Sequence, residues 1–163
     1  MENYLDNKRI LAVDDEPDIL DTIEEELPMC DVIKANSFED AKELLTNEYF
    51  DLALLDIMGV DGYKLLDLAK QKNVTAVMLT AHALTPEDLA KSHKKGAASY
   101  LPKEEIENIA TYLEDVFRAQ INSEDTWKRW YDKLSAFFDK RFGPDWKDRD
   151  KYLRDYFNYT DVG

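Results

Sequence analysis

The sequence predicts an α/β domain, a five-stranded parallel sheet wound on both faces with helices, followed by a C-terminal helical extension. Two patterns carry this. Five short runs rich in Val, Ile, Leu and Ala recur along the first three quarters of the chain, each too short for a helix and each bounded by polar residues. Between them lie segments whose apolar residues fall at helical spacing. Strands alternating with helices imply right-handed βαβ crossovers and a sheet covered on both sides. Composition agrees: 44% hydrophobic residues support a real core, and only 5 Gly and 5 Pro in 163 residues argue against a loop-rich or low-complexity chain.

The elements follow in order. RILAV (9–13) is the first strand, and the helix from Pro17 to Leu27 places Ile19, Leu20, Ile23 and Leu27 on one face, with Pro17 in its first turn. DVIKA (31–35) is the second strand; Ser37 caps a helix whose apolar face is Phe38, Ala41, Leu44 and Leu45. DLALL (51–55) is the third strand and Tyr63 to Lys70 the third helix. TAVML (75–79) is the fourth strand; Thr85-Pro86 opens a helix that Gly96 closes. ASYL (98–101) is a short fifth strand, and Glu104 to Gln120 a long helix with Ile106, Ile109, Leu113, Val116 and Phe117 along its face.

The net charge of −14 is unevenly spread. Up to Ala119 the chain carries 12 Lys+Arg against 26 Asp+Glu, and beyond it 9 of each. An acidic first part repels nucleic acid and anionic lipid and tolerates a basic partner or a cation. No stretch reaches the roughly 18 apolar residues of a membrane span, and the polar start MENYLDNKRI carries no signal peptide. Cys30 is alone, which excludes a disulfide framework or a cysteine metal site and suits a cytoplasmic location.

In a parallel sheet ligands gather at the carboxyl ends of the strands. The first strand ends in Asp14-Asp15-Glu16, the third in Asp56, the fourth in Thr80, and Lys103 follows the fifth. Two carboxylates about 4 Å apart repel by roughly 4 kcal/mol at an effective dielectric near 20, so such a cluster needs a cation. An all-oxygen set with open positions suits Mg²⁺. The roles follow from charge: Asp56 is the candidate carboxylate nucleophile, Asp15 holds the metal directly and Asp14 through water, Lys103 neutralises a phosphoryl oxygen, and Thr80 offers a hydroxyl.

VDDEP (13–17), LLDIM (54–58), MLTAHA (78–83) and KKGAASYLPK (94–103) resemble, in order and spacing, the four signature regions of the response-regulator receiver domains of bacterial two-component systems. The resemblance spans residues 8–120. It implies a flavodoxin-like fold, sheet order 2-1-3-4-5, and a phosphoprotein that catalyses only its own phosphorylation and dephosphorylation. It implies Asp56 as phosphoacceptor, a Mg²⁺ site of Asp14, Asp15, Asp56 and the Met58 carbonyl, and Thr80, Tyr100 and Lys103 as the phosphate-binding and switch group. His82, two residues past Thr80, is a candidate modulator. The implied partners are a histidine kinase or phosphotransfer protein and a downstream protein. The chain departs from the family in two places. After Asp56 comes IMGVDG, a loop two residues shorter and without Pro; after Lys103 comes Glu104, where a trans peptide bond is expected.

Blander readings exist for each residue: loop acids and helix caps for the aspartates, a strand-end hydroxyl for Thr80, a half-exposed edge aromatic for Tyr100, a loop acid for Glu16, and a solvated helix end for His93.

Residues 1–121 form the expected receiver and 122–163 a tail. The tail holds all three Trp, and TWKRWYDKLSAFFDKRFG reads as a helix stopped by Gly143-Pro144, followed by a shorter one from Trp146 to Phe157. Its aromatic face needs cover, from the receiver or from a second chain in a homodimer. Its balanced charge argues against a membrane surface or a DNA-reading helix. The alternatives to a phosphorylated receiver are a receiver-fold binding module independent of phosphorylation, and a transcriptional regulator with an unfamiliar DNA-binding tail.

Overall fold

The computed structural model describes residues 3–81 and 85–162, with side chains to 157. Five strands, β1 (Arg9–Val13), β2 (Asp31–Ala35), β3 (Leu52–Asp56), β4 (Thr75–Thr80) and β5 (Ser99–Pro102), form one sheet in the order β2-β1-β3-β4-β5. Every pairing is parallel, with Ile10 opposite Leu52, Leu52 opposite Thr75 and Met78 opposite Tyr100. Central β3 is buried throughout, as the continuous run LALLD requires.

The helices are α1 (Pro17–Glu26), α2 (Phe38–Asn47), α3 (Gly62–Gln71), α4 (Pro86–Lys94), α5 (Ile109–Ile121), α6 (Thr126–Phe142) and α7 (Lys151–Val162). The Ser37 and Thr85 side chains cap α2 and α4 by accepting from Asp40 and Asp88 backbone N–H groups, and Pro17 and Pro86 open α1 and α4. Two segments differ from expectation. Lys103–Asn108 winds as a 3-10 helix, so the α-helix expected from Glu104 begins at Ile109. The last helix starts at Lys151, after a 3-10 turn at Trp146–Arg149, because the Asp150 carboxylate accepts from the N–H groups of Tyr152 and Leu153 and resets the helix there.

The tail lies against the sheet edge formed by β5, between α4 and α5. After α5, Ser123 adopts a left-handed conformation (φ 56°) and Glu124 N–H returns to the Ala119 carbonyl at 2.7 Å, a tight reversal that lays α6 back over the domain. Trp127 Nε1 donates to the Ala97 carbonyl (2.9 Å) and Trp130 Nε1 to the Tyr100 carbonyl (2.6 Å). Two indoles thus satisfy acceptors along an edge that would otherwise template another strand. Trp130 stacks on Phe157 and packs on Phe138 and Trp146, all buried, so the tail aromatics join the core of the α/β domain as one cluster. Ion pairs border the contact: Arg141 with Glu104 (2.8 Å), Arg129 and Lys133 with Asp115.

This packing corrects two readings of the sequence. His93 is not a solvated helix end. Its Nδ1 lies 2.7 Å from the Tyr152 hydroxyl, and its ring packs on Trp127 and Tyr156, because α7 crosses α4. Tyr100 is fully buried rather than a half-exposed edge residue, because α6 covers β5.

Candidate phosphoryl-accepting site

The sheet order reverses between β1 and β3, so their carboxyl ends diverge and open a crevice. Asp14 follows β1, and Asp56 closes β3. Asp14 N–H bonds to the Ala35 carbonyl and Ile57 N–H to the Leu79 carbonyl, which extends the ladders just far enough to place both carboxylates inside the crevice. Asp14 is fully buried and Asp56 nearly so. Asp14 Oδ1 accepts from Glu16 N–H (2.9 Å), turning the chain into α1.

Lys103 converges on both acids from beyond β5. Its Nζ lies 2.7 Å from Asp14 Oδ2, 3.3 Å from Asp56 Oδ1 and 3.5 Å from Glu16 Oε1. Burial alone would lower the Lys103 pKa, but Asp14 and Asp56 outweigh it and raise it. Burial raises the Asp14 carboxyl above the usual carboxylate range, against the pull of Lys103 and the Glu16 N–H. One ammonium bridging two buried carboxylates leaves a net negative site, which a second cation would balance. Carboxylate oxygens of Asp14, Asp15 and Glu16 lie within 4.8 Å of one another, a hard-oxygen donor set that fits Mg²⁺.

The short loop after Asp56 explains a residue the sequence reading passed over. Gly59 N–H donates to Asp56 Oδ2 at 3.0 Å. A Cβ at Gly59 would sit 2.2 Å from Asp15 Oδ1 and 2.6 Å from Asp56 Oδ2, so the backbone approaches the acids as only glycine allows. Asp61, left-handed at φ 55°, then admits α3 at Gly62, whose N–H bonds to the Ile57 carbonyl. The Met58 side chain points to solvent at 74% exposure, which leaves only its backbone as a ligand group. A glycine three residues past the acid, in a loop lacking proline, was the available signal. Glu16, read as a loop acid, stands beside Asp15 and Lys103.

Thr80 is buried at the end of β4, and its Oγ1 has no hydrogen-bond partner among the described residues. The same holds for the Tyr100 hydroxyl. Burial, with help from Asp88 and Tyr63, pushes that phenol far above its ordinary value, while Thr80 and the Thr85 backbone pull weakly the other way. The Thr80 hydroxyl and the Thr85 backbone thus lie beside the Tyr100 hydroxyl, close enough to act on it but without a hydrogen bond of normal geometry among the described residues. His82 lies outside the described residues. Asp14, Asp56 and Lys103 come together, with exposed Asp15 beside them, while Thr80 ends the neighbouring strand β4 and Tyr100 lies on β5 beside Thr80. The Lys103–Glu104 peptide bond is trans.

Comparison with known proteins agrees with this geometry. Residues 10–114 match the response regulator receiver domain family. The chain is 37% identical over 112 residues to the two-component response regulator ARR10 of Arabidopsis thaliana, which covers 62% of this chain and 20% of that protein. It is 41% identical over 63 residues to the transcriptional activator protein PfeR of Pseudomonas aeruginosa, which covers 37% of this chain and 21% of that protein. A CheY-like response regulator receiver domain protein from Methanospirillum hungatei superposes with a TM-score of 0.65 at 29% identity, covering 72% of this chain and 98% of that one. The chain thus spans about a fifth of the length of these two curated relatives, and the shared part is the receiver. Among the described residues no helix is long and apolar enough to cross a membrane. With the sheet order, the acid crevice and the family match in agreement, the chain belongs to the response regulator receiver family.

Proposed function

We propose that the protein takes a phosphoryl group onto Asp56 from a histidine kinase or phosphotransfer protein and passes the signal on through protein contacts. The observation that supports this best is the Lys103 ammonium held between Asp14 and Asp56 at the sheet's carboxyl edge. An Asp56 carboxylate oxygen attacks phosphorus in line, the donor's P–N bond breaks, and its electron pair returns to the departing imidazole. Lys103 neutralises one phosphoryl oxygen and the Thr80 hydroxyl donates to another. Asp14, Asp15, Asp56 and the Met58 carbonyl would hold Mg²⁺, which when bound supplies further charge neutralisation for the transferring group. The reading carries a cytoplasmic location with it, where such donors work.

The closely packed loop at Gly59 motivates a second reading, a receiver-fold module that binds partners without phosphorylation. Transcriptional regulation through the tail is less well supported, because its aromatic face is spent on β5. Incubation with a small phosphodonor and Mg²⁺, followed by intact-mass measurement, separates the first two. Wild type should gain one phosphoryl group and Asp56→Asn none; an unlabelled wild type, or a labelled variant, would overturn the assignment.

A further inference from the structure

The tail does more than close a sheet edge: it packs against Tyr100. Trp130 holds the Tyr100 carbonyl, and the Phe138 ring, itself fully buried, lies 6.3 Å from the Tyr100 ring. Tyr100 cannot swing outward without displacing Phe138 and Trp130 from a cluster that also includes Trp146 and Phe157. Beside the Tyr100 hydroxyl stands Thr80, buried and, among the described residues, with no hydrogen-bond partner of normal geometry for its Oγ1.

Asp56 and Thr80 close adjacent paired strands, Asp56 lying opposite Leu79. A phosphoryl oxygen on Asp56 would offer the Thr80 hydroxyl a strong acceptor, and Thr80 would shift toward it. That shift vacates space in a close-packed interior, which is unfavourable unless a neighbour fills it. The neighbour in place is the Tyr100 ring.

We propose that the docked tail, residues 126–157, is a resident ligand of the β5 edge that favours the phosphorylated state by holding Tyr100 inward. The inference rests on Asp56 as the phosphoacceptor. A tail that only obstructed this face would compete with activation, whereas a tail that pins Tyr100 inward cooperates with it. Because coupling is reciprocal, phosphorylation tightens tail docking by the same factor that docking favours phosphorylation. Phe138 and Trp130 act as positioning residues, through Tyr100 alone.

The test uses the full chain with beryllium fluoride and Mg²⁺ as the probe, read by tryptophan emission, since all three Trp lie in the tail, and by amide exchange. Phe138→Ala should weaken probe affinity roughly 5- to 50-fold, within the usual range of allosteric coupling. Phe138→Leu, which keeps most of the wall, should lose little. In a Tyr100→Ala background the Phe138→Ala step should have no further effect, an outcome that simple loss of stability would not produce. The probe should slow amide exchange across 126–142 in wild type. Trp130→Phe, which removes the indole donor and keeps a buried aromatic ring, repeats the test with a smaller loss should Phe138→Ala fail to fold. Unchanged or tighter probe binding in the variants, or faster tail exchange with the probe, would overturn the coupling and leave the phosphoacceptor reading standing. A wild type that neither binds the probe nor labels at Asp56 would overturn both.

Discussion

Gly59→Ala isolates what the short loop does. The added methyl would lie 2.2 Å from Asp15 Oδ1, 2.4 Å from Asp15 Cγ and 2.6 Å from Asp56 Oδ2. Gly59 is not in the left-handed region, so the backbone itself accepts alanine. Asp15 is exposed and can swing away, but Asp56 is nearly buried and fixed by Lys103, so either the loop lifts or both carboxylates shift. Overpacking of this kind costs about 1–3 kcal/mol. Replacing glycine returns about 0.4–1 kcal/mol by restricting the unfolded chain. Net destabilisation is therefore about 0–2.6 kcal/mol, a fall in Tm of at most roughly 10 °C for a chain of this size. The chemistry is less tolerant, since misplacing reacting groups by about 1 Å costs on the order of 100-fold in rate. We expect Gly59→Ala to stay folded and melt within about 10 °C of wild type, to bind Mg²⁺ more weakly by calorimetry, and to label Asp56 roughly 100-fold more slowly in an intact-mass time course. Labelling within about threefold of wild type at saturating Mg²⁺ would refute the idea that the loop's close approach tunes the acid pair.

Lys103→Met leaves Asp14 and Asp56 facing each other without their ammonium. Breaking a buried pair from one side costs roughly 3–5 kcal/mol, a fall in Tm of roughly 6–20 °C. Mg²⁺ should recover part of it by binding the native state alone. A variant that melts like wild type without metal would show that the ion pair is not needed for stability. His93 gives the tail contact a pH dependence. Burial lowers its pKa below the ordinary 6.5, with Asp125 pulling upward and, among the described residues, Tyr152 and Tyr156 as titratable neighbours. Below pH 6.5 the unfolded chain takes the proton first, so stability is lost as pH falls toward the folded-state value. The fall in Tm between about pH 7.5 and 5.5 should be smaller in His93→Gln than in wild type, the general carboxylate titration being common to both. Parallel slopes would remove His93 from the pH response.

The local chemistry of this chain was legible from its sequence. Five apolar runs of strand length, separated by amphipathic helices, determine a parallel sheet whatever packs around it. A parallel sheet determines that Asp14, Asp56, Thr80 and Lys103 meet at one edge, because those positions all lie at the carboxyl ends of strands. The helix caps at Ser37 and Thr85 were legible for the same reason: each is a local arrangement that one residue type satisfies. What the sequence left open depends on groups distant in the chain. Gly59 matters only because the shortened loop folds back onto Asp15 and Asp56, a matter of about one atom's width that spacing cannot express. His93 reads as a polar helix end until α7 crosses it, and Tyr100 as an edge residue until α6 covers it. The aromatic spacing of the tail announced a face that had to be buried but not its partner, because burial of apolar area is non-directional. The direction came from two indole N–H groups that matched the carbonyls of Ala97 and Tyr100 on an open sheet edge, hydrogen bonds whose geometry exists only once the chain is folded.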